Sequence, residues 1–152
     1  MAEHIDFPGE SIVGRRAQAP ETEIGALFDQ VAPGAYGEIP EGRVTGPLTA
    51  VYHSFTGGVF DVTIGFPTTW RPGPDAGVTV FDLPAGPALR ALHTGPYDSL
   101  RETYDDLERA AREQELVPTA AVERYLTDPG ANPDPATWQT EVLFLLEGIP
   151  AA

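Results

Sequence analysis

The chain has no cysteine, so neither a disulfide framework nor a thiolate metal site can form, and redox chemistry gives no reading of its compartment. Basic residues are also scarce. Nine of them face 23 acids, leaving a formal charge of −14, and the resulting field repels phosphate backbones and anionic membranes. Direct nucleic-acid binding is not expected on that ground. The acids either keep the protein soluble or supply a field that attracts cations or imitates DNA. No segment approaches the roughly 20 apolar residues of a membrane span. Glu3, Asp6 and Glu10 interrupt the first twenty residues, where a secretory signal would need an apolar run. A soluble cytoplasmic protein is the expectation.

Glycine and proline are abundant, at 16 each, and imply frequent turns and short elements. Twelve Phe and Tyr residues and two Trp supply burial throughout the 152 residues, enough for one compact domain. Residues 1–10 read as a loose leader, 11–147 as a single domain and 148–152 as a tail.

A first strand is expected over Ser11 to Arg16. A helix follows from Pro20, with Ile24, Leu27, Phe28 and Val31 on one face and Pro33-Gly34 as its stop. After a loop over 35–47, Leu48 to Phe55 and Val59 to Phe66 read as strands joined at Thr56-Gly57-Gly58. Residues 67–75, with Trp70 among prolines, read as a hinge between two halves. Val78 to Leu83 and Ala88 to His93 read as a strand and its return. The longest helix spans about 98 to 114, capped by Asp98, with Tyr97, Leu100, Tyr104, Leu107 and Ala111 as its apolar stripe. Residues 121–126 and 140–146 close the chain as strands.

Element by element, the second half repeats the first. Tyr52 corresponds to Tyr125, and Phe60-Asp61-Val62 to Thr140-Glu141-Val142. The expected fold is α+β: duplicated strand-helix-strand-strand halves with pseudo-twofold symmetry, an antiparallel sheet with two helices on one side, and a central groove.

Glu141 opens the apolar run Val142 to Leu146, and no Lys or Arg lies between Arg124 and the C-terminus. A carboxylate in such a site costs several kcal/mol, roughly, unless compensated, so a ligand is the expected partner. Alternation places Glu141 on the face of Leu143 and Leu145. Tyrosines and tryptophans nearby would favour flat or cationic organic molecules.

Leu83-Pro84-Ala85-Gly86, His93-Thr94-Gly95-Pro96-Tyr97 before an amphipathic helix, Glu123-Arg124-Tyr125 and Thr140-Glu141-Val142 follow in order. Their spacing resembles the GyrI-like small-molecule-binding domains, which also form the effector-binding halves of AraC- and MerR-type multidrug regulators. The resemblance covers roughly residues 11 to 147. It implies a groove that binds hydrophobic, often cationic, compounds against aromatic side chains and an acidic residue, with Glu141 at the matching acidic position. Members of that family include fused regulators, proteins that restrain DNA gyrase, and stand-alone proteins, some of which hydrolyse cyclopropane-bearing natural products. Ahead of Ile12 there is no room for a helix-turn-helix of roughly 20 residues, so the stand-alone form is expected.

The candidate ligand contacts are therefore Glu141, Trp138, Tyr125, Tyr52, His93, Tyr97 and Trp70. Each has a plainer reading: Glu141 as a strand-edge acid in water, Trp138, Tyr125, Tyr52 and Tyr97 as core, His93 as a backbone-bonded support for the helix, Trp70 as a surface plug rather than a lid. Capture of a hydrophobic or cationic small molecule, for sensing or sequestration, is the expected function. The alternative is a hydrolase of strained electrophiles, with Glu141 as general base and Tyr97 or Tyr125 as proton donor. Gyrase inhibition through DNA imitation is the third reading. His4, His53 and His93 lack the spacing of a metal site, so neither metal nor cofactor is expected. The sequence does not set an oligomeric state.

Overall fold

The computed structural model describes residues 2–146, which divide into two compact units. The first runs from Gly9 to Pro84; the second joins the stretch ending at Pro8 to the stretch starting at Ala85. Each unit is a four-stranded antiparallel sheet with one α-helix, so the α+β class expected from the sequence holds.

The first unit contains β2 (Glu10–Pro20), α1 (Ile24–Glu38), β3 (Thr49–Thr56), β4 (Val59–Pro67) and β5 (Thr79–Leu83), in sheet order β3-β4-β2-β5. Gly57 and Gly58, both at positive φ, make the tight turn between β3 and β4, where two left-handed residues match the twist of the flanking strands. At Gly14 the backbones come so close that a Cβ would stand 1.9 Å from the Ile64 carbonyl oxygen, which leaves glycine the only residue that fits. Val13, Ala35, Ile39 and Val78 form the core beneath α1, and Phe66, Trp70 and Val80 pack against it.

The second unit contains β1 (Glu3–Phe7), β6 (Gly86–Thr94), α2 (Leu100–Glu113), β7 (Pro118–Tyr125) and β8 (Gln139–Leu146), in order β1-β6-β8-β7. Its helix buries Leu100, Leu107 and Ala111 on Leu89 and Ala91 of β6 and on Val142, Phe144 and Leu146 of β8. This is the apolar stripe that the 3.6-residue period predicts.

The repeat is visible in the topology and in an ion pair. β2-α1-β3-β4 and β6-α2-β7-β8 follow the same order in chain and in sheet. Arg16 lies opposite Thr63 and pairs with Asp61 two residues away at 2.8 Å; Arg90 lies opposite Leu143 and pairs with Glu141 two residues away at 2.5 Å. The same diagonal thus occurs on equivalent strands. Each unit also receives its outer strand from the segment that leads into the other: β1 precedes β2 yet pairs with β6, and β5 precedes β6 yet pairs with β2.

Several sequence expectations are corrected. Residues 1–10 are no loose leader, because Glu3 to Phe7 pair with Gly86 to Arg90, Phe7 is buried, and β2 begins at Glu10. A partner strand on the far side of the other unit in the chain leaves no local trace. Pro33 does not stop α1. It sits on an exposed side of the helix, and burial of Ala35 and Ile39 carries the chain on to Glu38. β5 and β6 do not form a hairpin, since they pair with different strands. Residues 67–75 are not the junction between units, which falls at Pro84 and Ala85. Asp98 makes no cap bond; it lies in a 3-10 turn, Tyr97–Ser99, before α2. The expected tail at 148–152 lies outside the described residues.

Candidate functional site

The alternation of β7 puts Ala121, Glu123 and Tyr125 on one face and Val122 and Arg124 on the other. Ala121 packs in the α2 core, so the first face is the helix side. Glu123 lies opposite Val142 of the central strand and is carried with it beneath the helix, where it is 7% exposed. Two phenols meet it there. Tyr104 of α2, packed against the Phe144 ring, donates to Glu123 Oε2 at 2.5 Å, and Tyr125 donates to Oε1 at 2.5 Å. Burial pushes the Glu123 carboxyl above its ordinary range; the two phenolic hydrogen bonds and the charge of His93 oppose that rise.

Tyr125 opens an aromatic wall. The Tyr97 ring meets it edge-on at 5.6 Å, and the Trp138 ring lies 4.9 Å from Tyr97. Tyr97 is 37% exposed, so this wall leads from solvent toward the buried acid. Its phenol is raised first by burial and then by the charges of Asp128 and Glu123. Trp138 is fixed by the loop before it. Its Nε1 donates to the Asn132 carbonyl at 2.7 Å, and the Asn132 amide donates to Thr137 Oγ1 at 2.8 Å.

His93, at the end of β6, is buried and supports the start of α2. Nδ1 lies 2.8 Å from Thr103 Oγ1; Nε2 lies 3.0 Å from Ser99 Oγ and 3.2 Å from the Pro96 carbonyl. It thereby holds the segment that carries both Tyr97 and Tyr104. Gly95, at φ 136°, lets the chain turn there, and its N–H donates to the Trp138 carbonyl at 2.8 Å.

The residues expected from the sequence divide into three groups. Tyr97, Tyr125, Trp138 and His93 stand together in the second unit around Glu123. Tyr52 and Trp70 belong to the first unit, where Tyr52 packs on Phe60 at 5.3 Å and Trp70 packs against the core beneath α1. Trp70 is therefore half-buried against that core. By strand register, Tyr52, opposite Val62, corresponds to Glu123, opposite Val142, rather than to Tyr125.

Glu141 forms the third group, and the premise behind it is corrected. It does share a face with Leu143 and Leu145, away from α2. A cation accompanies it, however: Arg90 Nε donates to Glu141 Oε2 at 2.5 Å, and Arg124 Nε stands 3.6 Å from Oε1. Arg90 reaches Glu3 at 2.7 Å with its other arm. The charge of Glu141 is thus balanced within the sheet, by a residue of β6 that no local pattern ties to it.

Glu123, Tyr104 and Asn132 were not singled out as site residues. The signal for Glu123 was an acid flanked at two-residue spacing by Ala121 and Tyr125, on the face whose cross-strand neighbours are Val142 and Phe144. Among the described residues, no group of three His, Asp or Glu side chains stands close enough to hold a metal ion, and no helix is long and apolar enough to cross a membrane. A buried carboxyl, two phenols and a stacked wall can attract a cation or exchange a proton.

A family model described as the GyrI-like small molecule binding domain matches residues 3–147. No curated protein matches the chain significantly. Among solved structures, the EcmrR C-terminal domain has a TM-score of 0.81 at 22% identity, over 97% of this chain and 97% of that domain. In the EcmrR–DNA complex the TM-score is 0.80 at 22% identity over 97% of this chain, which spans 57% of the EcmrR chain. SAV2435 bound to tetraphenylphosphonium has a TM-score of 0.74 at 11% identity, over 97% of this chain and 94% of that one. A hydrolase from Listeria innocua has a TM-score of 0.62 at 14% identity, over 96% and 91%. At these identities the likeness is one of fold.

Proposed function

The chain belongs to the GyrI-like small-molecule binding domain family, and from that premise we propose that it captures lipophilic cations at Glu123, for sensing or sequestration. One observation carries the reading. Glu123 is a buried carboxyl held by two phenols, and among the described residues neither Arg nor Lys forms an ion pair with it. An acid so placed is costly to ionise until a positive charge arrives, so a ligand cation supplies what the fold leaves out. Tyr97, Tyr125 and Trp138 provide ring faces for its apolar part, each cation–ring contact contributing about 0.5–2 kcal/mol. The formal charge of −14 raises the local concentration of cations. That SAV2435 was solved with tetraphenylphosphonium supports this ligand class.

Calorimetric titration with tetraphenylphosphonium tests the proposal. Glu123→Gln should abolish saturable binding, and Glu141→Gln should leave it unchanged. Wild-type affinity in the Glu123 variant would overturn it.

A second reading rests on the contact between the carboxyl and its phenols. At 2.5 Å, Tyr104 and Tyr125 can exchange protons with Glu123, the minimum needed for acid–base opening of a strained electrophile such as a cyclopropane-bearing compound. Here Glu123 takes the role the sequence suggested for Glu141. Mass spectrometry of cyclopropanoid compounds after incubation separates the readings: unchanged compounds rule out turnover.

A further inference from the structure

Three residues share a row across the helix face of the second unit. Thr140 of β8 lies opposite His93 of β6 on one side and opposite Tyr125 of β7 on the other. The next row inward sets Glu123 opposite Val142, roughly 7 Å further along the strand. Trp138, two residues ahead of Thr140, belongs to the aromatic wall with Tyr97. A ligand passing from the wall to the acid therefore crosses the row of Thr140.

Thr140 is fully enclosed, at 0% exposure, and among the described residues its Oγ1 has no hydrogen-bond partner. A buried hydroxyl without a partner disfavours the fold, and valine would fill the same strand position with nearly the same shape and nothing to satisfy. The groups around it are placed differently. Tyr104 and Tyr125 give their phenolic protons to Glu123, Trp138 gives its Nε1 proton to the Asn132 carbonyl, and Ser99 gives its hydroxyl proton to the Pro96 carbonyl. His93 meets Thr103 and Ser99 with its two ring nitrogens. A hydroxyl has one proton to donate, so these donors are committed within the fold. The Thr140 proton has no such acceptor.

We infer that Thr140 is a specificity-determining residue, whose hydroxyl donates to a hydrogen-bond-accepting oxygen on the ligand, such as a ketone, ester or amide carbonyl. This rests on the capture reading and adds to it a second polar requirement, separate from charge. Entry moves the exposed Tyr97 ring off the edge of Tyr125 and brings the ligand oxygen over the row of Thr140. A carbonyl carried into a ring-lined site loses its water and regains one bond at Thr140. A hydrocarbon of equal shape leaves the hydroxyl as it was. Removing the hydroxyl should then penalise the oxygen-bearing ligand alone, because its carbonyl is left buried and unpaired.

The test uses (4-acetylbenzyl)triphenylphosphonium and (4-isopropenylbenzyl)triphenylphosphonium, which differ by an oxygen in place of a methylene. Both are titrated by calorimetry into wild type, Thr140→Val and Thr140→Ser, with tetraphenylphosphonium alongside. Wild type should bind the acetyl probe about threefold more tightly than its isostere. Thr140→Val should weaken the acetyl probe about tenfold and leave the isopropenyl probe within about twofold. Thr140→Ser restores the hydroxyl and should keep the wild-type ratio. Without ligand, Thr140→Val should melt no lower than wild type, since the fold loses only an unpaired group. An acetyl-to-isopropenyl ratio that is the same in wild type and Thr140→Val overturns the inference. So does a clear drop in the melting temperature of that variant, which would assign the hydroxyl to the fold. In either case binding of tetraphenylphosphonium to wild type leaves the capture reading standing, whereas failure of all three compounds to bind wild type overturns both.

Discussion

The Tyr125 hydroxyl reaches back along its own strand to Glu123 Oε1 at 2.5 Å. Residues two apart on a strand share a face, so the pleat alone brings phenol and carboxyl together. Tyr104, arriving from α2, closes the other oxygen. The acid is fixed by one local and one tertiary bond, and its behaviour with pH follows from how those bonds compete with burial.

Burial raises the folded-state pKa of Glu123 above its unfolded value. The folded state therefore holds the proton more tightly, and stability is fully present below the unfolded pKa and falls as pH rises through the folded one. Glu123→Gln removes this dependence. Melting temperatures followed from about pH 4 to about pH 8 should fall more steeply in wild type than in the variant, with the variant the more stable at the alkaline end.

Cation binding should show the opposite trend. A cation prefers the ionised carboxylate, so below the folded pKa its affinity should rise about tenfold per pH unit and then level off. Titration of tetraphenylphosphonium across that range checks the slope. A flat profile would indicate that the cation sits away from Glu123.

The two tryptophans should report differently. Trp138 lies tilted against the Tyr97 ring at 4.9 Å, whereas Trp70 packs against the core of the first unit. Ligand-induced quenching of fluorescence should persist in Trp70→Phe and disappear in Trp138→Phe. Trp138→Ala should weaken cation binding by about 0.5–2 kcal/mol.

Glu141→Gln should act on stability and leave binding alone. The pair with Arg90 is largely enclosed, at 16% and 29% side-chain exposure, and in the variant a neutral amide oxygen would face Arg90, leaving Glu3 as its charged partner. A loss of about 1–3 kcal/mol in chemical denaturation is expected.

After α2, Glu115 adopts φ 55°, a left-handed conformation that costs a residue with a Cβ roughly 1–2 kcal/mol. Glu115→Gly should raise the midpoint of urea unfolding by about 0.5–1 kcal/mol in stability.

Periodic features were legible. The α2 stripe of Leu100, Tyr104, Leu107 and Ala111, the turn at Gly57-Gly58 and the repeated element order all follow from local pattern. So does the face of Glu141, since alternation placed it with Leu143 and Leu145. What alternation could not supply was its neighbour across the sheet. Arg90 is 51 residues away, and only the register of β6 on β8 brings the two together. The same register, carried on to β7, sets Glu123 opposite Val142 and makes it the buried acid. Sequence patterning therefore drew attention to the aromatic residues and to Glu141, but not to the acid buried beside the rings on the helix side of the sheet.

The reciprocal strand exchange bears on synthesis. Glu3 pairs with Arg90, so β1, made before the first unit, has no ladder until residues just past the end of that unit have left the ribosome. Gly9 to Pro84 carries all its own strands and can condense earlier. A nascent chain halted soon after Pro84 emerges should protect β2 to β5 from proteolysis while leaving Glu3 to Phe7 cleavable, a vectorial order imposed by the path of the chain.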